Sequence, residues 1–321
     1  MSIPTEHEFD FDPTYGYGLS ELLALRPPMA PTGFDAFWRE RYLAAREVDP
    51  NPRLSASSQS NPNWHVESIT YTSTGGVRIC GWLLRPKHGR ITRGLVVGHG
   101  YGGRGGPEFD IPVDDTAILF PCSRGLSRSA CPPIPAEAAG HVLHKIGDPT
   151  RYILGGCVDD LWLAVSALTK LHPGIEGHIG YIGTSFGGGI GALAIPHDPR
   201  ITRGHLIVPT FGNMPLWLTL PTVGSGNSVQ RFLKTHGQAR ASLAFFDAAI
   251  AATRISVPML VAVARFDPAV APPCQFTVAN ALNPPDHHET FVLDAGHYDY
   301  PGMKEQHVLL GDRVRSFLEE L

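Results

Sequence analysis

Ser185, set between two glycines in Gly183-Thr184-Ser185-Phe186-Gly187, is the residue of this chain best suited to nucleophilic chemistry, and Asp267 and His297 follow it in order. A serine hydroxyl is a weak nucleophile until a base takes its proton, and an imidazole does this well only when a third group fixes its tautomer. Those three residue types together imply acyl transfer through a covalent intermediate. The G-x-S-x-G pattern adds geometry: its glycines let a strand and a helix approach closely, so that the serine stands on a sharp turn. A bare match is common by chance, and its context decides. His178 to Ile182 reads as an apolar strand before the motif, and Gly188, Gly189, Ile190, Ala192 and Leu193 open a helix after it.

The partners must lie at strand ends if they are to meet that serine. Asp267 follows the apolar run Met259 to Ala264, and His297 follows Thr290 to Leu293, which gives the chain order Ser, Asp, His. Asp247 and Asp294 are rival acids, but neither follows the penultimate strand. His99, His287 and His288 are rival bases on other elements. His141 and His144 have helical spacing without a third ligand, so no metal is expected. Acyl transfer also needs N–H donors aimed at the developing oxyanion. The residue after the nucleophile, Phe186, supplies one, and Tyr101 in His99-Gly100-Tyr101-Gly102-Gly103 supplies the other.

The elements that position these residues alternate along the chain. Phe34, Phe37, Trp38 and Tyr42 recur at helical spacing, and His65 to Thr72 and Val77 to Leu84 flank Ser73-Thr74-Gly75-Gly76 as a hairpin. Short apolar strands follow at Leu95 to Val97, Ala117 to Phe120, His178 to Ile182, Leu206 to Val208, Met259 to Ala264 and Thr290 to Leu293. The helix Val158 to Leu171 lies among them. A last helix runs from about Lys304, with Val308, Leu309, Val314, Phe317, Leu318 and Leu321 read as one face. Buried strands alternating with helices predict a mostly parallel sheet with helices on both faces and an antiparallel hairpin at one edge. With the nucleophile motif, this is the α/β-hydrolase fold. A single domain over 1–321 is expected, with an N-terminal helical extension over 1–60. Excursions at about 126–156 and 212–250 are expected to lie over the carboxyl ends of the strands, where ligands bind in such sheets.

Composition excludes other classes. The 321 residues carry a formal net charge of −4, which argues against nucleic acid as a partner. The five cysteines are odd in number and form no CxxC pair, so reduced thiols in a cytoplasmic protein are expected. The acidic start is not read as a signal peptide, and no apolar run is long enough to span a membrane. A peptidase on the same fold and a catalytically silent binding protein are the alternatives to an esterase acting on a small-molecule ester without a cofactor.

From about Pro31 onward the chain resembles the acetyl xylan esterase and cephalosporin C deacetylase family of carbohydrate esterases. Gly33-Phe34-Asp35-Ala36-Phe37-Trp38, the hairpin Gly75 to Pro86, His99-Gly100-Tyr101, Arg124-Gly125, Phe246-Asp247 with Arg254-Ile255 and Pro258, Asp267 with Pro272-Pro273, and Gly296-His297 carry the likeness. The resemblance implies a deacetylase, a homo-oligomer, and a tight acyl pocket near Tyr101 and Val208-Pro209; Phe186 and Tyr298 are also expected at the substrate pocket. Leu126, Phe186 and Tyr298 depart from the family's Arg-Gly-Gln, Ser-Gln-Gly and Gly-His-Glu patterns. Leu126 and Phe186 leave two expectations open: a paired swap within the core that does not touch the substrate, or a greasier site that favours an apolar alcohol.

Overall fold

A computed structural model describes residues 3, 4 and 6–321; Met1, Ser2 and Thr5 of the expected 1–60 extension lie outside the described residues. Nine strands form one sheet: β1 (Arg53–Ala56), β2 (Trp64–Thr72), β3 (Arg78–Pro86), β4 (Arg93–Gly98), β5 (Thr116–Pro121), β6 (Ile179–Thr184), β7 (Ile201–Ile207), β8 (Met259–Ala264) and β9 (His288–Leu293). Their order is β1-β2-β3-β5-β4-β6-β7-β8-β9. The pairs β1–β2, β2–β3 and β3–β5 are antiparallel, and every pair from β5 to β9 is parallel.

Side-chain alternation divides the core in two. In β8, Met259, Val261 and Val263 join the cluster on one face, while Leu260, Ala262 and Ala264 join the other. The first face is covered by the helices Phe34–Arg46, Ile153–Leu171, Phe186–Ala194 and Pro272–Asn280. The second is covered by the C-terminal helix Met303–Glu319. A strand buried on both faces needs apolar residues at every position, which is why β8 reads as an unbroken run.

Three readings change. In the C-terminal helix the buried stripe is Gln306, Leu310, Val314, Phe317 and Leu318, whereas Val308 and Leu309 are 64% and 52% exposed. At 100° per residue Val308 and Leu309 lie well away from the Leu310–Val314 line. Each of the four buried apolar side chains contributes about 1.5–3 kcal/mol relative to exposure. Strand β7 begins at Ile201 rather than Leu206: Thr202 and Arg203 interrupt its apolar pattern, but Arg203 pairs with Gly180 after the register shifts past Thr202. The helix read from Val158 starts at Ile153. The two excursions are built of short helices, among them Ala138–His141 and Ser225–Leu233.

Candidate active site

The site forms where β6, β8 and β9 end. Strand β6 stops at Thr184 and the helix Phe186–Ala194 starts two residues later, leaving Ser185 alone on the turn with φ 53° and ψ −109°. A non-glycine residue holds a positive φ only where its surroundings dictate it. Here the Ser185 N–H donates to the Ile207 carbonyl (2.8 Å) and the Ser185 carbonyl accepts from the Thr210 N–H (3.2 Å). Gly187 must lack a side chain, because a Cβ there would lie 2.9 Å from the Gly98 carbonyl carbon.

Asp267 and His297 reach this serine from neighbouring loops. His297 Nε2 lies 2.9 Å from Ser185 Oγ, and His297 Nδ1 lies 2.8 Å from Asp267 Oδ2. Asp267 is fully buried, and its Oδ1 accepts from the N–H groups of Ala269 and Val270, each at 2.9 Å. The Asp267 N–H donates to the Pro13 carbonyl (3.0 Å), so the N-terminal segment reaches the loop that carries Asp267. His297 also sits at positive φ, 49°. Gly296 before it is required, since a Cβ would stand 2.6 Å from Asp267 Oδ2. Burial alone would lower the His297 pKa, but the hydrogen bond and charge of Asp267 outweigh it and the net shift is upward from 6.5. Among the rival acids, Asp247 is spent on backbone: it accepts from Asn213, Met214, Ala249 and Ile250 and caps the helix Ala248–Ala252. Asp294 makes no hydrogen bond to His297 among the described residues.

The loop after β4 is braced from below. The Ser123 N–H donates to His99 Nε2 (3.0 Å), so the ring's proton sits on Nδ1 and goes to the Gly100 carbonyl (2.7 Å). Burial pushes the His99 pKa down to about 4 and keeps the ring neutral. The Arg124 carbonyl takes the His141 Nε2 proton (2.9 Å), so His141 Nδ1 accepts from the Tyr101 hydroxyl (3.2 Å). Arg124 is fixed in turn by a buried ion pair with Asp160, 2.7 Å from Nη2 to Oδ1. His99 and His141 are therefore struts rather than bases. Among the described residues, the N–H groups of Tyr101 and Phe186 donate to no other protein group, so both are free for an oxyanion.

A cavity of about 630 Å³ opens above Ser185 and His297. Tyr101 and Thr210 line it, as do Trp217, Val270 and the start of the helix Ser225–Leu233 with Gly224 before it, and Glu137 is the one carboxylate on its wall among the described residues. Of the pocket residues expected from the sequence, only Tyr101 is in the lining. The Phe186 ring is 1% exposed and lies beneath, 4.2 Å from the Tyr101 ring between centroids. Pro209 is buried against Gly188, because the chain after β7 turns under the helix Phe186–Ala194. Tyr298 turns away: its hydroxyl donates to the Glu6 carbonyl (3.0 Å) and its ring packs on Phe9 and Phe266. Leu126 is 2% exposed in the same core cluster as Phe186, so both apolar side chains lie in the core rather than on the cavity wall. Trp217, Val270 and Glu137 were not legible as lining residues, since each sits in an excursion or loop with no motif of its own.

The sequence profile of a family described as acetyl xylan esterase matches residues 16–310. Among solved structures, an acetyl xylan esterase from Paenibacillus sp. R4 superposes with a TM-score of 0.80 at 20% identity, covering 94% of this chain and 100% of that one. Acetyl xylan esterase 1 from Thermoanaerobacterium sp. JW/SL YS485 gives 0.75 at 17% identity, covering 95% and 99%. An esterase from Pyrococcus furiosus gives 0.57 at 17% identity, covering 85% and 99%. At these identities the structural likeness speaks for the fold.

Proposed function

The chain belongs to the acetyl xylan esterase family and is a serine ester hydrolase of the α/β-hydrolase fold, and from that premise we propose that Ser185, His297 and Asp267 are its catalytic triad and short-chain acyl esters, acetates foremost, its substrates. The observation that carries this reading is the unbroken hydrogen-bond chain from Ser185 Oγ through His297 to Asp267 Oδ2, opening on a cavity beside two free N–H groups.

In this mechanism His297 Nε2 takes the Ser185 proton as Oγ attacks the ester carbonyl. Asp267 holds Nδ1–H and stabilises the imidazolium without taking its proton. The Tyr101 and Phe186 N–H groups receive the oxyanion, and removing such a donor from other serine hydrolases costs about 100- to 1,000-fold in kcat. The imidazolium then protonates the leaving alcohol. Water, deprotonated by the same ring, releases the acid. An acetyl group fills a small part of the 630 Å³ cavity, and the remainder is left for the alcohol. The proposal extends to a cytoplasmic homo-oligomer: five unpaired cysteines fit a reducing compartment, and the family resemblance implies the assembly.

The test compares 4-nitrophenyl acetate, butyrate and octanoate, the matching anilide, and acetylated xylose, with Ser185→Ala as the blank. Acetate should give the highest kcat/KM of the chain-length series, and the anilide should be cleaved far more slowly. A steady rise toward octanoate contradicts the short-acyl reading, and comparable cleavage of the anilide points to a peptidase.

A further inference from the structure

Gln275 lies in the helix Pro272–Asn280, fully buried beneath the loop that carries Asp267. The orientation of its amide follows from its partners. Its Oε1 accepts from the Ala264 N–H at the end of β8 (2.8 Å), and its Nε2 donates to the Val270 carbonyl (2.6 Å). A backbone N–H demands an acceptor and a backbone carbonyl demands a donor, so the amide cannot be turned over. The second Nε2 proton then goes to Asp267 Oδ2 at 2.9 Å, the same oxygen that faces His297 Nδ1. Every hydrogen-bonding group of Gln275 is thus committed, and one of them touches the acid of the triad.

We propose that Gln275 is a positioning residue for the reaction: it holds the one Asp267 oxygen that His297 uses, and so sets how strongly that oxygen draws on the imidazole. The inference rests on the triad assignment made above. With Ala269 and Val270 on Oδ1, and Gln275 and His297 on Oδ2, the carboxylate is held by four donors and cannot rotate away from the ring. The amide proton also takes up part of the negative charge on Oδ2. Less charge remains for Nδ1–H, so the imidazolium is not over-stabilised and the ring remains a base at moderate pH. Without Gln275, Oδ2 would present its full charge to His297 alone. The ring would then hold its proton to higher pH.

The test is made on the full chain, with kcat/KM for 4-nitrophenyl acetate measured across pH beside thermal melting. Gln275→Met keeps the length and apolar bulk but removes all three hydrogen bonds. It should lower kcat/KM about 10- to 100-fold, the range expected for a hydrogen bond to a charged group, and move the midpoint of the acid limb upward. Gln275→Glu keeps the acceptor for Ala264. While protonated it can still donate, but once ionised it faces the Asp267 carboxylate, so it should add a fall in activity with rising pH that the parent lacks. A folded Gln275→Met with an unmoved midpoint, whatever its melting temperature, overturns the proposal. Should that variant fail to fold, Gln275→Glu decides: a profile matching the parent's is equally fatal. Asp267→Asn serves as the control. If it is inactive while the Gln275 variants behave like the parent, only this inference fails; if it is fully active, the triad reading fails with it.

Discussion

Replacing Asp267 by asparagine keeps the shape of the side chain and exchanges one acceptor for a donor pair, and the consequences follow from its four contacts. Both carboxylate oxygens face only N–H groups: Ala269 and Val270 at Oδ1, Gln275 and His297 at Oδ2. An asparagine has one oxygen to offer. If that oxygen stays with the two backbone donors, its NH₂ turns to His297 and Gln275. His297 Nδ1 must then accept rather than donate, which moves the ring proton to Nε2, the atom 2.9 Å from Ser185 Oγ. A ring protonated there cannot take the serine's proton. The corresponding substitution in a well-studied protease lowers kcat by about 10⁴, equivalent to about 5.5 kcal/mol of lost transition-state stabilisation. The same NH₂ meets the Gln275 amide donor to donor, and an unpaired buried donor costs about 1–3 kcal/mol of stability. The opposite orientation restores His297 but sets the NH₂ against two backbone N–H groups, which is worse. The assay is kcat for 4-nitrophenyl acetate with a melting curve on the same preparation. A kcat loss near 10⁴ with a melting temperature lower by a few degrees is expected. A variant keeping more than about a hundredth of the parent's kcat would refute the tautomer argument, because no orientation of an amide preserves all four contacts.

Four further expectations can be checked with the same assay and melting curves. Because Asp267 raises the His297 pKa above 6.5, kcat/KM should climb with pH to a midpoint above that value; a midpoint well below it contradicts the pairing. The sign is opposite for stability: the increment from the charged pair is fully present below the ordinary imidazole value and is lost as pH rises through the folded one, so melting of Ser185→Ala against pH should show it. Gly296→Ala places a Cβ 2.6 Å from Asp267 Oδ2 and 3.0 Å from Val208 Cγ1. It should lower kcat at least about 10-fold, the effect of misplacing a catalytic group by a fraction of an ångström, and a variant matching the parent would show that the loop yields freely. Glu137 on the cavity wall should disfavour anionic substrates. Glu137→Gln should raise kcat/KM for a carboxylate-bearing acetate relative to 4-nitrophenyl acetate by up to about fivefold, and an unchanged ratio removes Glu137 from substrate selection.

Strands β2 to β9 and the turn that carries Ser185 were legible in the sequence because both rest on local constraints, whereas the exposed edge strand β1, inside the expected N-terminal helical extension, has no apolar pattern to show it. A strand buried on two faces needs an unbroken apolar run, and a strand–serine–helix turn needs glycines at fixed offsets. Asp267 and His297 were legible through their place after β8 and β9. What escaped depends on contacts distant in sequence. The helix Ile153–Leu171 starts earlier than the apolar spacing from Val158 suggests, and Gly155 and Gly156 stand in its first turn. In three dimensions Arg41 and Arg124 cross the helix there, and a Cβ at either glycine would meet a guanidinium at 2.7 Å or less. Gln275 looks like one more polar residue until the fold brings it under Asp267. Phe186 and Tyr298 were assigned to the cavity because they adjoin Ser185 and His297, and Pro209 through the resemblance, yet adjacency along a chain does not set side-chain direction. At the start of a helix the Phe186 ring turns into the core, and Tyr298 is drawn outward by the N-terminal segment packed over it.

The central claim is that Ser185 is the nucleophile, and covalent labelling tests it most directly. The purified enzyme would be treated with a fluorophosphonate, digested and analysed by mass spectrometry, with His297→Ala treated in parallel. A single phosphonylated residue at Ser185, formed in step with loss of esterase activity and far more slowly in His297→Ala, is the predicted result. Loss of activity with the label on any other residue, or an enzyme that stays active and unlabelled, would contradict the account.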